Sequence, residues 1–456
     1  MKKKITISIL SIVVILFLIL PITITFTQNV SLLRAYKNLI PNQLKEAVKT
    51  GFVFFMSEEY SDLISVNQRL ENKYVQLSKE KDLVNSEFLP QTQFQKVEYK
   101  EVTLKTFRHH KSKLDNERRG KKVIPYYIEN FEDKILLLSI TGESIYFETK
   151  DLLVSKTPKE NKILNNLPEN VTLKDALIFD GKVFVSITYR DKSCDSIEVF
   201  VSDLNFKKLE FKKFFSQIKD GKCEDWLKAG RLAKFTENGN KKILLVAREP
   251  NGVNHFLNEE QQKLQEEHGS FDGSVIYSIN LNDKEMEIIS SGHRNPQGLF
   301  VTADNNILLT EHGPRGGDEI NKVEKGKNYG WPISSYGENY YKGLSKDEEY
   351  RFKKSHENYG LKEPVYSFVP SIGISQIIEL PNKFSKKWQD NFLVSSMKAG
   401  SIYRIKFSKD YERIITWEKI RVGKRIRDIE YDQESNKIFL ALEDNSASIG
   451  IIGSKN

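Results

Sequence analysis

Three stretches of this 456-residue chain combine residue types and spacings that could do chemistry. In Gly292-His293-Arg294-Asn295-Pro296-Gln297 a guanidinium stands beside two amides, a donor-rich edge suited to carbonyl or carboxylate oxygens. In Glu311-His312-Gly313-Pro314-Arg315-Gly316-Gly317-Asp318-Glu319 polar side chains ride on Gly- and Pro-driven turns, which reads as a site rather than a core. Asp318 and Glu319 are either part of that site or ordinary turn caps. In Lys424-Arg425-Ile426-Arg427-Asp428 two arginines lie two apart, so a strand would point both to one face. Two guanidiniums there repel unless an anion lies between them or acidic neighbours such as Asp428 and Glu430 offset them. Trp331 and Tyr336 follow the second stretch and could stack on a ligand or simply pack.

The elements that must hold these residues are strands. From about residue 98 onward short apolar, β-rich runs recur, each after a Gly, Asn or Asp turn signal: from Lys134, Gly181, Lys242, Asn306 and Asn436. They read as strands of similar blades in an all-β body over 98–456. Residues 28–97 look helical instead, with Leu63, Leu70, Leu77 and Val84 seven apart and Pro90 as a stop. That segment is either a coiled coil over 62–88, allowing self-association, or a single amphipathic packing helix or stalk.

A hydrophobic share of 39% with 29% charge suits a globular body with an ample core. The net charge of +8 comes from scattered lysines with no basic stripe interleaved with aromatics, which argues against a nucleic-acid partner. Residues 1–27 differ in kind. Lys2, Lys3 and Lys4 precede an uncharged run, Ile5 to Phe26, long enough as a helix to span a bilayer. No small-residue cleavage site follows, so the expectation is an uncleaved signal anchor, with a cleaved signal peptide as the rival. The lysines stay cytoplasmic and the body is periplasmic or extracellular. In an exported body Cys194 and Cys223 can form a disulfide; the alternative is two buried thiols.

The first two stretches, followed by Gly326-Lys-Asn-Tyr-Gly330-Trp331-Pro332, resemble in order and spacing the signature of the glucose/sorbosone dehydrogenase family, the quinoprotein aldose dehydrogenases. The resemblance covers roughly residues 180–456 and is strongest over 292–431. It implies a six-bladed β-propeller, at about 60 residues per blade, that holds pyrroloquinoline quinone (PQQ) and calcium and oxidises a small sugar or polyol. PQQ is a flat ortho-quinone with three carboxylates; it needs fixed cations, donors for its quinone oxygens and a hard metal on the reacting carbonyl. Resemblance gives Arg294 to the quinone oxygens, Asn295 and Gln297 to another polar edge, and Lys398, Arg425 and Arg427 to cofactor contacts. It gives calcium to the backbone carbonyls of Gly313 and Pro314.

One part is missing. Active members carry a histidine base a few residues before a Gly-Arg-Leu stretch; here that stretch is Gly230-Arg231-Leu232, and Leu227 stands in the histidine's place. Glu249 is the nearest acidic substitute, and His255, His268, His293 and His312 lie near in sequence. Loss of a general base costs roughly 10²–10⁴-fold in rate. The expectation is therefore a membrane-anchored PQQ-dependent dehydrogenase-like propeller that has lost its usual base. The alternative is a non-enzymatic extracytoplasmic propeller that binds or scaffolds.

Overall fold

A computed structural model describes residues 97–107, 124–189, 197–216, 230–248, 254–266, 273–338, 352–385, 388–443 and 447–454. The anchor over 1–27, the helical segment up to residue 96, and Cys194, Cys223, Leu227, Glu249 and His268 lie outside these residues. No described helix is long and apolar enough to cross a membrane.

The described residues form six sheets of four or five strands, antiparallel except for a two-residue parallel strand at the edge of each five-stranded sheet. Blade 1 opens with Tyr126–Phe131, blade 2 with Val171–Phe179, blade 3 with Leu232–Glu237, blade 4 with Pro296–Val301, blade 5 with Ile374–Leu380 and blade 6 with Arg425–Asp432. Each of these opening strands packs against those of the two neighbouring blades, so they close a ring, and the other strands run outward from it. The body is a six-bladed β-propeller. Its last blade takes its outermost strand, Val97–Thr103, from the start of the described chain, where it pairs with Ala447–Ser454. That pairing closes the ring without leaving an open seam.

The reason these runs become second strands is legible in one of them. Lys437–Glu443 is nearly all apolar because both of its faces are covered. Ile438, Leu440 and Leu442 face a core shared with Ile378 and Leu393 of blade 5. Phe439 and Ala441 face the core of Tyr126, Ile135 and Leu137 of blade 1. Full burial of one such Leu or Ile contributes roughly 1.5–3 kcal/mol. The turn before each second strand has a common chemistry. Glu132, Asp180, Asn238, Asn305, Asp390 and Asn436 all have φ between 50° and 61°, in the left-handed region, one in each blade. Asn and Asp tolerate that region best among residues with a side chain, and five of the six are Asn or Asp.

Candidate functional site at the mouth of the ring

Residues at the starts of the opening strands of blades 1, 2, 3, 4 and 6 line a cavity of about 360 Å³. Its wall includes Tyr127, Lys174, Arg231, Asn295, Gln297 and Arg427, with no carboxylate among the lining residues. The acids stand behind the wall. Arg231 is buried and reaches Asp175 Oδ1 of blade 2 at 2.8 Å and Asp428 Oδ1 of blade 6 at 3.3 Å. It also donates to the carbonyls of Arg427, at 3.3 Å, and of Gln297, and lies 5.0 Å from the centre of the Tyr127 ring. The two aspartates take backbone N–H groups as well, from Leu232 and Ile128. One guanidinium thus ties blades 1, 2, 4 and 6 to its own blade 3, with every partner charged or fixed.

Beside this hub lies the loop layer of blade 4. Glu311 anchors it: its carboxylate accepts from the Arg294 N–H at 2.6 Å and from Asn321 Nδ2 at 2.8 Å, and lies 3.1 Å from His293 Nδ1. His293 is fully buried, with its other nitrogen 2.9 Å from Ser290 Oγ, so both ring nitrogens are committed to structure. Arg294 sends Nη1 to the carbonyls of His312 at 3.0 Å and Gly313 at 2.9 Å and lies 5.0 Å from the centre of the Trp331 ring. Asp318 is buried and accepts from Ser371 Oγ and from the N–H groups of Gly373 and Ile374, which latches the loop to the start of blade 5. Residue 313 must be glycine: a Cβ there would fall 2.1 Å from the carbonyl oxygen of Gly317.

The electrostatics of this layer follow from burial. Glu319 is held well above the ordinary carboxylate range, first by desolvation and then by the charge of Glu311. His312 is pushed down, again first by desolvation; Asp318 opposes that, and Arg294 and Arg427 add to it. Arg427 lines the cavity together with Asn295 and Gln297, the sequence neighbours of Arg294, so Arg294 and Arg427 stand at the same end of the ring. A small hollow of about 10 Å³ lies among Arg294, Glu311, Glu319, Tyr329, Ser334 and His356. There Ser334 Oγ and both ring nitrogens of His356 are buried with no hydrogen-bond partner. Tyr336 stacks on His356, ring centres 5.4 Å apart, and donates to Glu363, so it is packing.

The third motif corrects one detail. Arg425 and Arg427 do share an anion, but it is Glu443 rather than Asp428 or Glu430. Arg427 Nη2 donates to Glu443 Oε2 at 3.1 Å, and Arg425 Nε lies 3.7 Å from the same carboxylate. The cause is register: Arg425 pairs directly with Glu443, and a bulge between Ile426 and Asp428 re-aims Arg427. Arg425 Nη2 also lies 3.6 Å from the sulfur of Met397, next to Lys398, whose side chain is exposed. Pro314 is buried beside Gly313. Sequence reasoning missed Arg231, which served only as a landmark for position 227. Its signal was a lone arginine immediately before an apolar opening strand.

The profile of the Glucose / Sorbosone dehydrogenase family matches residues 180–450, more than half of the chain, and the chain belongs to that family. It is 35% identical over 156 residues to the aldose sugar dehydrogenase YliI of Escherichia coli (strain K12), covering 33% of this chain and 40% of that protein. The matched stretches span less than half the length of the curated relatives. In three dimensions it is similar to the soluble aldose sugar dehydrogenase of Escherichia coli in the apo-form, with a TM-score of 0.57 and 20% identity, covering 78% of this chain and 99% of that one. A glucose dehydrogenase crystal structure aligns with a TM-score of 0.57 and 22% identity, over 72% of this chain and 96% of that one. At such identities the structural likeness carries the fold alone.

Proposed function

We propose that the mouth of this propeller binds PQQ, and that the protein is a sugar- or polyol-dehydrogenase-like quinoprotein without the family's usual base. The observation that carries the reading is a roughly 360 Å³ cavity whose lining offers guanidiniums, an ammonium and amides but no carboxylate. That donor set fits a tricarboxylate quinone. Asn295 and Gln297 line the cavity and would hold a polar edge; Arg294 would reach the quinone oxygens; Lys398, Arg425 and Arg427 would hold carboxylates. PQQ, when bound, supplies the hydride acceptor. What this chain contributes is position, charge and the exclusion of water. What it lacks at position 227 is a proton acceptor for the substrate hydroxyl, because a leucine side chain has no lone pair.

Calcium on the carbonyls of Gly313 and Pro314 belongs to the same proposal, with a condition. The Gly313 carbonyl already accepts from Arg294. A carbonyl has two lone pairs and can take a second partner, but a divalent ion beside a guanidinium is repelled. Calcium therefore fits together with the quinone that draws Arg294 away, and less well alone. The anchor over residues 5–26 would keep the body attached to a membrane on its outer side, with the N-terminal lysines inside.

The test is a spectral titration of the purified body with PQQ, with and without calcium, followed by dye-linked oxidation over a panel of sugars. Binding with slow or absent glucose turnover, raised by Leu227→His, is the expected result. No PQQ binding at micromolar concentrations would favour a non-enzymatic binding propeller, the reading that Leu227 also supports. Ordinary glucose turnover by the wild type would mean that another residue has replaced the base.

A further inference from the structure

We propose that the Tyr127 hydroxyl is a ligand-binding donor of this mouth, and that with the Nη1 edge of Arg427 it seats a carboxylate. The inference rests on the quinone reading only for which acid arrives, not for the seat itself.

Two tyrosines open blade 1 side by side, and the alternation of a strand sends them to opposite sides. Tyr126 is fully buried in the core that includes Phe439 and Ala447 of blade 6. Its hydroxyl is spent: it donates to the Ser448 carbonyl at 2.6 Å and accepts from the Leu442 N–H at 3.3 Å. Tyr127 belongs to the core on the other side, with Leu138 of its own blade and Leu173 of blade 2, and it lines the cavity. A buried tyrosine hydroxyl usually finds a partner. The Tyr127 hydroxyl makes no hydrogen bond among the described residues.

The cations beside it are committed elsewhere. The Arg231 guanidinium lies 5.0 Å from the centre of the Tyr127 ring, but it donates to Asp175, to Asp428 and to the carbonyls of Gln297 and Arg427. Arg427 gives Nε and Nη2 to Glu443, which leaves Nη1. Burial pushes the Tyr127 phenol up to about 12; Arg427 and Arg231 oppose the rise, and Asp175 and Asp428 add to it. At neutral pH the hydroxyl therefore has a proton to donate, beside two cations, in a cavity whose lining has no carboxylate. The acceptor that fits is anionic and comes with the ligand. The family resemblance already gives Arg427 to the cofactor, so the acid is a carboxylate of the quinone.

The experiment is isothermal titration of the full chain, purified in detergent, with PQQ and separately with D-glucuronate, a carboxylate without the quinone. It is run on wild type, Tyr127→Phe and Tyr126→Phe, and each protein is also unfolded thermally without ligand. Tyr127→Phe is expected to weaken PQQ binding roughly tenfold, as loss of one charge-assisted hydrogen bond allows. Its unfolding midpoint should stay at or above that of wild type, because the lost hydroxyl has no partner in the protein. Tyr126→Phe should do the reverse, with a lower midpoint and unchanged PQQ affinity. A wild type that binds PQQ and a Tyr127→Phe protein that binds it equally well overturn the proposal and leave the quinone reading standing. A lower midpoint in Tyr127→Phe also overturns it, since the hydroxyl then serves the fold. A wild type that binds glucuronate through Tyr127 but never binds PQQ refutes the quinone reading and leaves the seat standing, with a free acid as its occupant. A wild type that binds neither acid overturns both.

Discussion

Arg231 meets two carboxylates, two carbonyls and a phenol ring from four other blades, whereas Arg294 meets two loop carbonyls and an indole. The two guanidiniums stand at the same end of one ring, yet their surroundings differ in kind. Around Arg231 the carboxylates also take backbone N–H groups, and the network is closed on itself. Around Arg294 the layer contains, among the described residues, a hollow of about 10 Å³ where Ser334 and His356 have buried polar atoms with no hydrogen-bond partner. A closed network holds a fold, because breaking it strands buried charge. A layer with polar atoms still to be satisfied suits a site, since an arriving group finds donors and acceptors not yet spent on the protein.

The comparison can be broken most forcefully at its closed half. Arg231→Met leaves Asp175 and Asp428 buried without their cation, and should cost about 3–5 kcal/mol in urea unfolding. A loss under about 1 kcal/mol would show that Arg231 does not hold the ring. Gly313→Ala acts on the open half. Its Cβ would strike the Gly317 carbonyl, so the expected loss is about 1–3 kcal/mol, together with lost PQQ binding; unchanged PQQ affinity would separate this loop from the site.

A pH series sharpens the contrast further along the ring. Burial, and then the charge of Asp428, push Glu430 up to about 8. Its folded pKa lies above the unfolded value near 4.5, so the folded state holds the extra proton. That contribution is fully present below pH 4.5 and is lost as pH rises through 8. Glu430→Gln should flatten the decline in stability over this window, with a gain on the order of 1–2 kcal/mol at pH 8. An unaltered slope would assign the decline to other buried acids such as Glu129. The smallest effect is expected from Arg294→Gln. It should change stability by less than about 1 kcal/mol, shift the fluorescence of Trp331, and tighten calcium binding in the absence of quinone. Weaker calcium binding would mean that the guanidinium helps to hold the loop open for the ion.

Much of the fold was legible. The five apolar runs read as strands are the second strands of blades 1, 2, 3, 4 and 6, each after a left-handed turn residue. The sixth, Asn391–Ser396, follows Asp390 in the same way, but without a glycine or a second turn residue before it the repeat was not counted. The loops of blade 4 were legible as unusual turns because glycines and prolines flag backbone that side chains cannot occupy. Glu443 as the shared anion of Arg425 and Arg427 was not, because cross-strand register depends on turn lengths and bulges rather than on local sequence. Arg231 was invisible because its partners come from four distant parts of the chain.

The strand that completes blade 6 also imposes an order in time. Ser448 donates to Glu101 across 347 residues of sequence. At roughly 5–20 residues per second on the ribosome, the early strand waits roughly 20–70 s for its partner to be made. Through that interval Val97–Thr103 is an unpaired edge, the kind of surface that recruits wrong strands. Its charged residues, Glu98, Lys100 and Glu101, are of the kind that disfavours such pairing.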